Sequence, residues 1–164
     1  MPKKSKIKLY LDTSVPSAYF DTSKPVRQLI TQKWFENEAL SYELYVSVIT
    51  VEEIEKLTNE TKKKGISELI VRYKMKILSF SEKAKELSDE YMNRGAIPKS
   101  EPQDASHIAI ASINDLEALA SWNFKHIVSI NPIRKVHEIN KKHNYAAIEI
   151  GSLEIFGGSK YGNI

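Results

Sequence analysis

Cysteine is absent from all 164 residues, which excludes disulfides, a thiol nucleophile and every thiolate zinc site. Long apolar runs are absent as well, and none approaches the about 20 residues of a membrane-spanning helix. Met1-Pro2-Lys3-Lys4 leads straight into an apolar run without the pattern of a signal peptide, so the cytoplasm is the expected compartment. Internal repeats, low-complexity segments and linkers are missing too. The length suits one real core and is too short for two comfortable ones. A single domain over 1–164 is expected, with its core over about 7–155 and a frayed tail over 157–164 beginning at Gly157-Gly158. An excess of one charge is also lacking: 24 basic residues face 21 acidic ones. A net charge of +3 tolerates a nucleic-acid partner without predicting one.

What is present alternates. Residues 7–11 (IKLYL) and 44–48 (LYVSV) are short apolar runs rich in strand formers, with weaker candidates at 76–80, 117–121 and 146–150. Helical patterns fill the gaps at 25–40, 50–74 with a break at Gly65, 81–94, 102–114 and 132–143. Parallel strands need crossover connections, and helices fit them best, so the pattern predicts a parallel sheet with helices on both faces. Ligands in such sheets sit beyond the carboxyl ends of the strands. Polar residues just after strands therefore become the suspects.

Asp12 closes the first strand in "KLYLDTSVPSAYFD". Asp12 or Ser14 can simply cap a short helix around Pro16. Glu53 follows the second strand, where Thr50-Val51-Glu52-Glu53 has the form of a capping box with Thr50 at the N-cap. Asp104 lies near the start of a helix whose other residues read as buried, and a carboxylate on that face needs a partner that is not visible locally. Asn123 falls after the strand in "EALASWNFKHIVS", where a turn-forming asparagine is the structural alternative. Three carboxylates in one crevice would repel each other unless a hard divalent ion neutralised them. Oxygen ligands without a Cys or His cluster favour Mg²⁺ or Mn²⁺ over zinc. His107 and His126 lie near these positions and can orient a carboxylate or touch a bound ligand, although packing against their neighbours is the simpler account. Lys62, Lys63 and Lys64 read first as a solvated helix surface and second as a track for phosphates.

"LYLDTSVPSAYFD", "SVITVEEIEK", "PQDASHIAIAS" and "ALASWNFKHI" appear in that order from about residue 7 to residue 155. The ordered set resembles PIN-domain proteins, close to the VapC-type toxins of toxin–antitoxin pairs. The resemblance implies a PIN-like three-layer sandwich around a central parallel sheet of four to five strands. It implies that Asp12, Glu53 and Asp104 hold a divalent metal, with Thr13 or Ser14 supporting Asp12. Asn123 occupies the place of a fourth acid, as catalytic residue and weaker ligand. It further implies Mg²⁺- or Mn²⁺-dependent hydrolysis of RNA, an antitoxin partner and a homodimer. The alternative is a PIN-like module that binds RNA or protein without cutting. A phosphatase using Asp12 as nucleophile fits less well, because Ser14 stands where a second aspartate is needed.

Overall fold

Period-two burial builds the sheet that the helices cover. The computed structural model describes residues 5–162. Its central strand, β1 (Ile7–Leu11), sends Leu9 and Leu11 into one core and Tyr10 into the other, as alternation along a strand requires. β2 (Tyr42–Ser47) pairs with one edge of β1, and β4 (Ala118–Ala120) with the other. β3 (Lys76–Leu78) flanks β2, and β5 (Glu149–Gly151) flanks β4. All pairings are parallel and the order is β3-β2-β1-β4-β5. Strand order therefore reverses between β1 and β4, which opens a crevice at their carboxyl ends.

Helices supply the crossovers on both faces. α1 (Ser14–Ala18), α2 (Pro25–Asn37) and α4 (Glu60–Arg72) bring Val15, Trp34, Phe35 and Ile66 to Leu9, Leu11 and Val46. On the opposite face α5 (Glu82–Asn93), α6 (Pro102–Ile113) and α7 (Ile130–Lys142) bring Leu87, Ile108 and Val136 to Tyr10 and Leu119. α3 (Val48–Glu55) contributes Ile49 to one core and Ile54 to the other. The result is the three-layer α/β sandwich that the alternation predicts.

Three local expectations need correction. The capping box on α3 sits one turn earlier than Thr50: Ser47 is the N-cap, its hydroxyl accepts the Ile49 N–H at 3.1 Å, and Thr50 Oγ1 accepts the Ser47 N–H. β2 thus runs directly into α3, and Glu53 lies in the second turn with no capping duty. The break expected at Gly65 falls instead before Glu60, where Asn59 caps α4 by accepting the Lys62 N–H at 3.1 Å. Gly65 lies inside α4, where its missing Cβ makes room for the Phe20 ring, 2.6 Å from where a Cβ would stand. The tail does not fray as far as Gly162. A 3₁₀ turn at Ser159–Tyr161 docks on α2, with Tyr161 donating to Glu38 Oε1 at 2.8 Å. Residues 163–164 lie outside the described residues.

Candidate functional site

The carboxyl ends of β1, β2 and β4 meet the start of α6 around a cleft of about 300 Å³. Asp12, Thr13, Ser14, Glu53, Asp104 and Asn123 all line it, and Leu57 and Ile66 form an apolar wall. The residues that the sequence singled out at strand ends are therefore brought together. Lys62, Lys63 and Lys64 do not line this cleft. Lys63 Nζ instead donates to the Glu55 carbonyl, and Lys64 pairs with Glu68 at 4.0 Å.

Asp12 is 3% exposed, and each of its carboxylate oxygens has a donor. Oδ1 accepts the Ser14 N–H at 3.1 Å and the Ser14 hydroxyl at 2.5 Å, while Oδ2 accepts the Ser121 hydroxyl at 2.6 Å. The same two hydroxyls accept backbone N–H groups beyond β4: Ser14 from Trp122 and Ser121 from Asn123, both at 2.9 Å. Asp12 therefore locks the end of β1 to the end of β4. Of the two hydroxyls expected to support it, Ser14 does so and Thr13 does not. Thr13 donates to Glu53 Oε1 at 2.9 Å.

Glu53 is held from the other side by His107, whose Nε2 lies 2.7 Å from the same oxygen. An ionised carboxylate only accepts, so Nε2 carries the proton. His107 is itself buried, with Nδ1 2.5 Å from the Tyr10 hydroxyl, which donates to Ser47 Oγ at 2.8 Å. A buried polar chain thus ties Glu53 back through the sheet to the cap of α3. Burial pulls the Glu53 carboxyl upward, but the hydrogen bond and charge of His107, with the Thr13 hydroxyl, outweigh it and hold the pKa below the usual range.

Asp12 and Asp104 shift the other way. Burial pushes the Asp12 carboxyl up, against the opposing effects of His107, Ser121 and Ser14. Asp104 rises to about 6, first through burial and second through the charge of Asp12. Two carboxylates pushed up by burial, Asp12 with Glu53 beside it and Asp104 with Asp12 beside it, are the donor set that a hard divalent cation fits. Its charge would reverse both effects.

The resemblance implies a ligand role for Asn123, and in this structure its amide is hydrogen-bonded at both ends. Its Nδ2 donates to Asp104 Oδ2 at 3.0 Å, and its Oδ1 accepts the His126 N–H at 2.9 Å. Both ends of the amide are engaged, so Asn123 orients Asp104. Ser121 is the residue that sequence reasoning missed. It directly follows β4, so the rule that flagged Asn123 applied to it equally.

Fold and site together define a doubly wound α/β protein with an acidic cleft where its strand order reverses. The PIN domain family model matches residues 9–123, and the chain belongs to the PIN-domain family. Among solved structures it is similar to the Mycobacterium tuberculosis toxin VapC20, described as cleaving the Sarcin-Ricin loop. The TM-score is 0.54 at 11% identity, over 73% of this chain and 92% of that one. It is also similar to VapBC2 from Rickettsia felis, solved bound to a DNA fragment from its promoter. There the TM-score is 0.51 at 15% identity, over 87% of this chain and 96% of that one. At such identities the likeness is one of fold. No curated protein sequence matches the chain. Among the described residues no helix is long and apolar enough to cross a membrane.

Proposed function

We propose that this protein is a metal-dependent endoribonuclease of the VapC type. The observation that carries the reading is the convergence of Asp12, Glu53 and Asp104 on one cleft in which Asp104 is pushed up to about 6 by burial and by Asp12. Bound Mg²⁺ or Mn²⁺ supplies the neutralising charge, a more acidic water and stabilisation of the phosphoryl oxygens. The side chains of the protein hold and aim that chemistry. Ser14 and Ser121 fix both oxygens of Asp12, Thr13 and His107 leave Glu53 one free oxygen, and Asn123 turns Asp104 toward the cleft. Leu57 and Ile66 keep one wall dry. No side chain needs to become a covalent nucleophile, in keeping with the absence of cysteine.

RNA is favoured as substrate by family membership and by the fold shared with a toxin that cleaves the Sarcin-Ricin loop. Lys62, Lys63 and Lys64 lie on α4, the helix that lends Ile66 to the cleft wall, and offer phosphate contacts that carry no sequence information. In this reading the protein works in the cytoplasm as a homodimer. An antitoxin blocks its cleft by presenting a basic side chain to the carboxylates, a pairing suggested by the fold shared with a VapBC assembly. The engagement of Asn123 favours a second reading, a module that binds RNA without cutting it. The two part on metal. Labelled structured RNA should be cut in Mn²⁺ or Mg²⁺, remain whole in EDTA, and remain whole with Asp12→Asn protein purified identically. RNA binding without cutting in any metal would support the second reading instead.

A further inference from the structure

Asn123 stands where the family resemblance puts a fourth acid, yet neither end of its amide is available to a cation. Nδ2 has no lone pair to give, and turning the amide over would set Oδ1 against the Asp104 carboxylate and Nδ2 against the His126 N–H. The turn that Asn123 closes presents a different donor to the same carboxylate. His126 Nδ1 lies 3.5 Å from Asp104 Oδ2 and 3.9 Å from Glu101 Oε1. Among the described residues, Glu101, Asp104 and His126 are the one group of three His, Asp or Glu residues whose donor atoms all gather within 4.8 Å. Donors on one ion at about 2.1 Å stand about 3 Å apart when adjacent and about 4.2 Å apart when opposite. The observed spacing is close to that of ligands around one centre.

The backbone holds these donors in place. Glu101 is the residue just before Pro102, the first of α6, and Asp104 lies in the first turn, so both carboxylates stand at the helix start, where their oxygens gather with His126. Asn123 fixes the third donor, because one side chain grips both the carboxylate of Asp104 and the backbone of His126.

We propose that His126, together with Glu101, supplies further direct ligands to the divalent cation in this site. Asp104 is the carboxylate shared with the cleft, and Asn123 is a positioning residue. The inference rests on the nuclease reading and deepens it. Its consequence is metal preference: an imidazole nitrogen favours Mn²⁺ over Mg²⁺, which takes oxygen ligands. If His126 serves only as a protonated partner of two acids, no such preference arises, since imidazolium has no free lone pair.

The test reads coordination rather than activity. Pulsed electron paramagnetic resonance of the full chain loaded with Mn²⁺ should show the coupling of a directly bound imidazole ¹⁴N, and His126→Gln should abolish it. By calorimetry His126→Gln should weaken Mn²⁺ binding by about tenfold or more and change Mg²⁺ binding by no more than about twofold. Mn²⁺ bound to the wild type without nitrogen coupling would overturn the inference and leave the nuclease reading intact. Unchanged Mn²⁺ affinity in a folded His126→Gln protein would do the same. Failure of the wild type to bind either ion would defeat both.

Discussion

Asp104 carries its charge in a place where burial and the neighbouring Asp12 both oppose ionisation, and its pKa rises from 3.8 to about 6. Between those values the unfolded chain has released a proton that the folded chain still holds, so stability falls as pH rises through the window and stays reduced above it. About two units at 1.36 kcal/mol each set a ceiling of about 3 kcal/mol. In metal-free protein near neutral pH, Asp104→Asn should therefore raise the unfolding free energy by about 1–3 kcal/mol and flatten its decline between pH 4 and 6. Urea titrations of both proteins across that range would measure it, and parallel profiles would contradict the burial argument. Ser121→Ala has the opposite sign. It strips Oδ2 of a buried carboxylate of its donor and should cost about 1–3 kcal/mol in urea unfolding. An unchanged midpoint would mean that the hydrogen bond contributes nothing. Asp12, Glu53, Asp104 and Asn123 were legible in the sequence as polar residues at strand ends or at the start of the next helix. The contact of Ser121 with Asp12 spans 109 residues, and that of His107 with Glu53 spans 54. No local pattern encodes such pairs, so His107 reads first as a packed histidine, and Ser121, although it follows a strand, is passed over for Asn123.

The junction of β2 with α3 sets where Glu53 points. Ser47 ends the strand, caps the helix through Ile49 and accepts the hydroxyl of Tyr10, which in turn holds His107. Ser47→Ala should thus cost about 1–2 kcal/mol, as a lost cap combined with one hydrogen bond lost by the buried Tyr10 hydroxyl, which keeps His107. It should also lower cleavage by loosening Glu53, although Ser47 does not line the cleft. Thermal unfolding compared with single-turnover cleavage would check both, and a destabilised variant with undiminished cleavage would show that the chain through His107 does not position Glu53. Strand and helix alternation was legible from apolar period alone, but several boundaries were not. β5 was expected over 146–150 and pairs with β4 only at Glu149–Gly151. The preceding residues are engaged elsewhere, since Asn140 takes the Ala146 carbonyl and His137 the Ile148 carbonyl. The docked turn at Ser159–Tyr161 escaped notice for a similar reason: glycines suggested a loose end, while Glu38 on the far side of the sequence gives Tyr161 and Lys160 a partner.

At the scale of the molecule, five parallel strands place the ends of β1 and β4 side by side where their order reverses, and the acids collect there. A cation that binds this folded arrangement and not the unfolded chain stabilises it by about 2.7 kcal/mol at a hundredfold excess over Kd. Millimolar Mn²⁺ should accordingly raise the Tm of the wild type by several degrees and leave Asp12→Asn unmoved. The most direct measurement of the central claim is the chemistry of the RNA ends. Metal-dependent hydrolysis with water as nucleophile leaves 5′-phosphate and 3′-hydroxyl ends, and wild-type protein in Mn²⁺ should give these while Asp12→Asn gives no cut. Cleavage that persists in EDTA and leaves 5′-hydroxyl and 2′,3′-cyclic phosphate ends would contradict the account, since it would assign the reaction to acid–base side chains such as His107 and His126 rather than to the acids of the cleft.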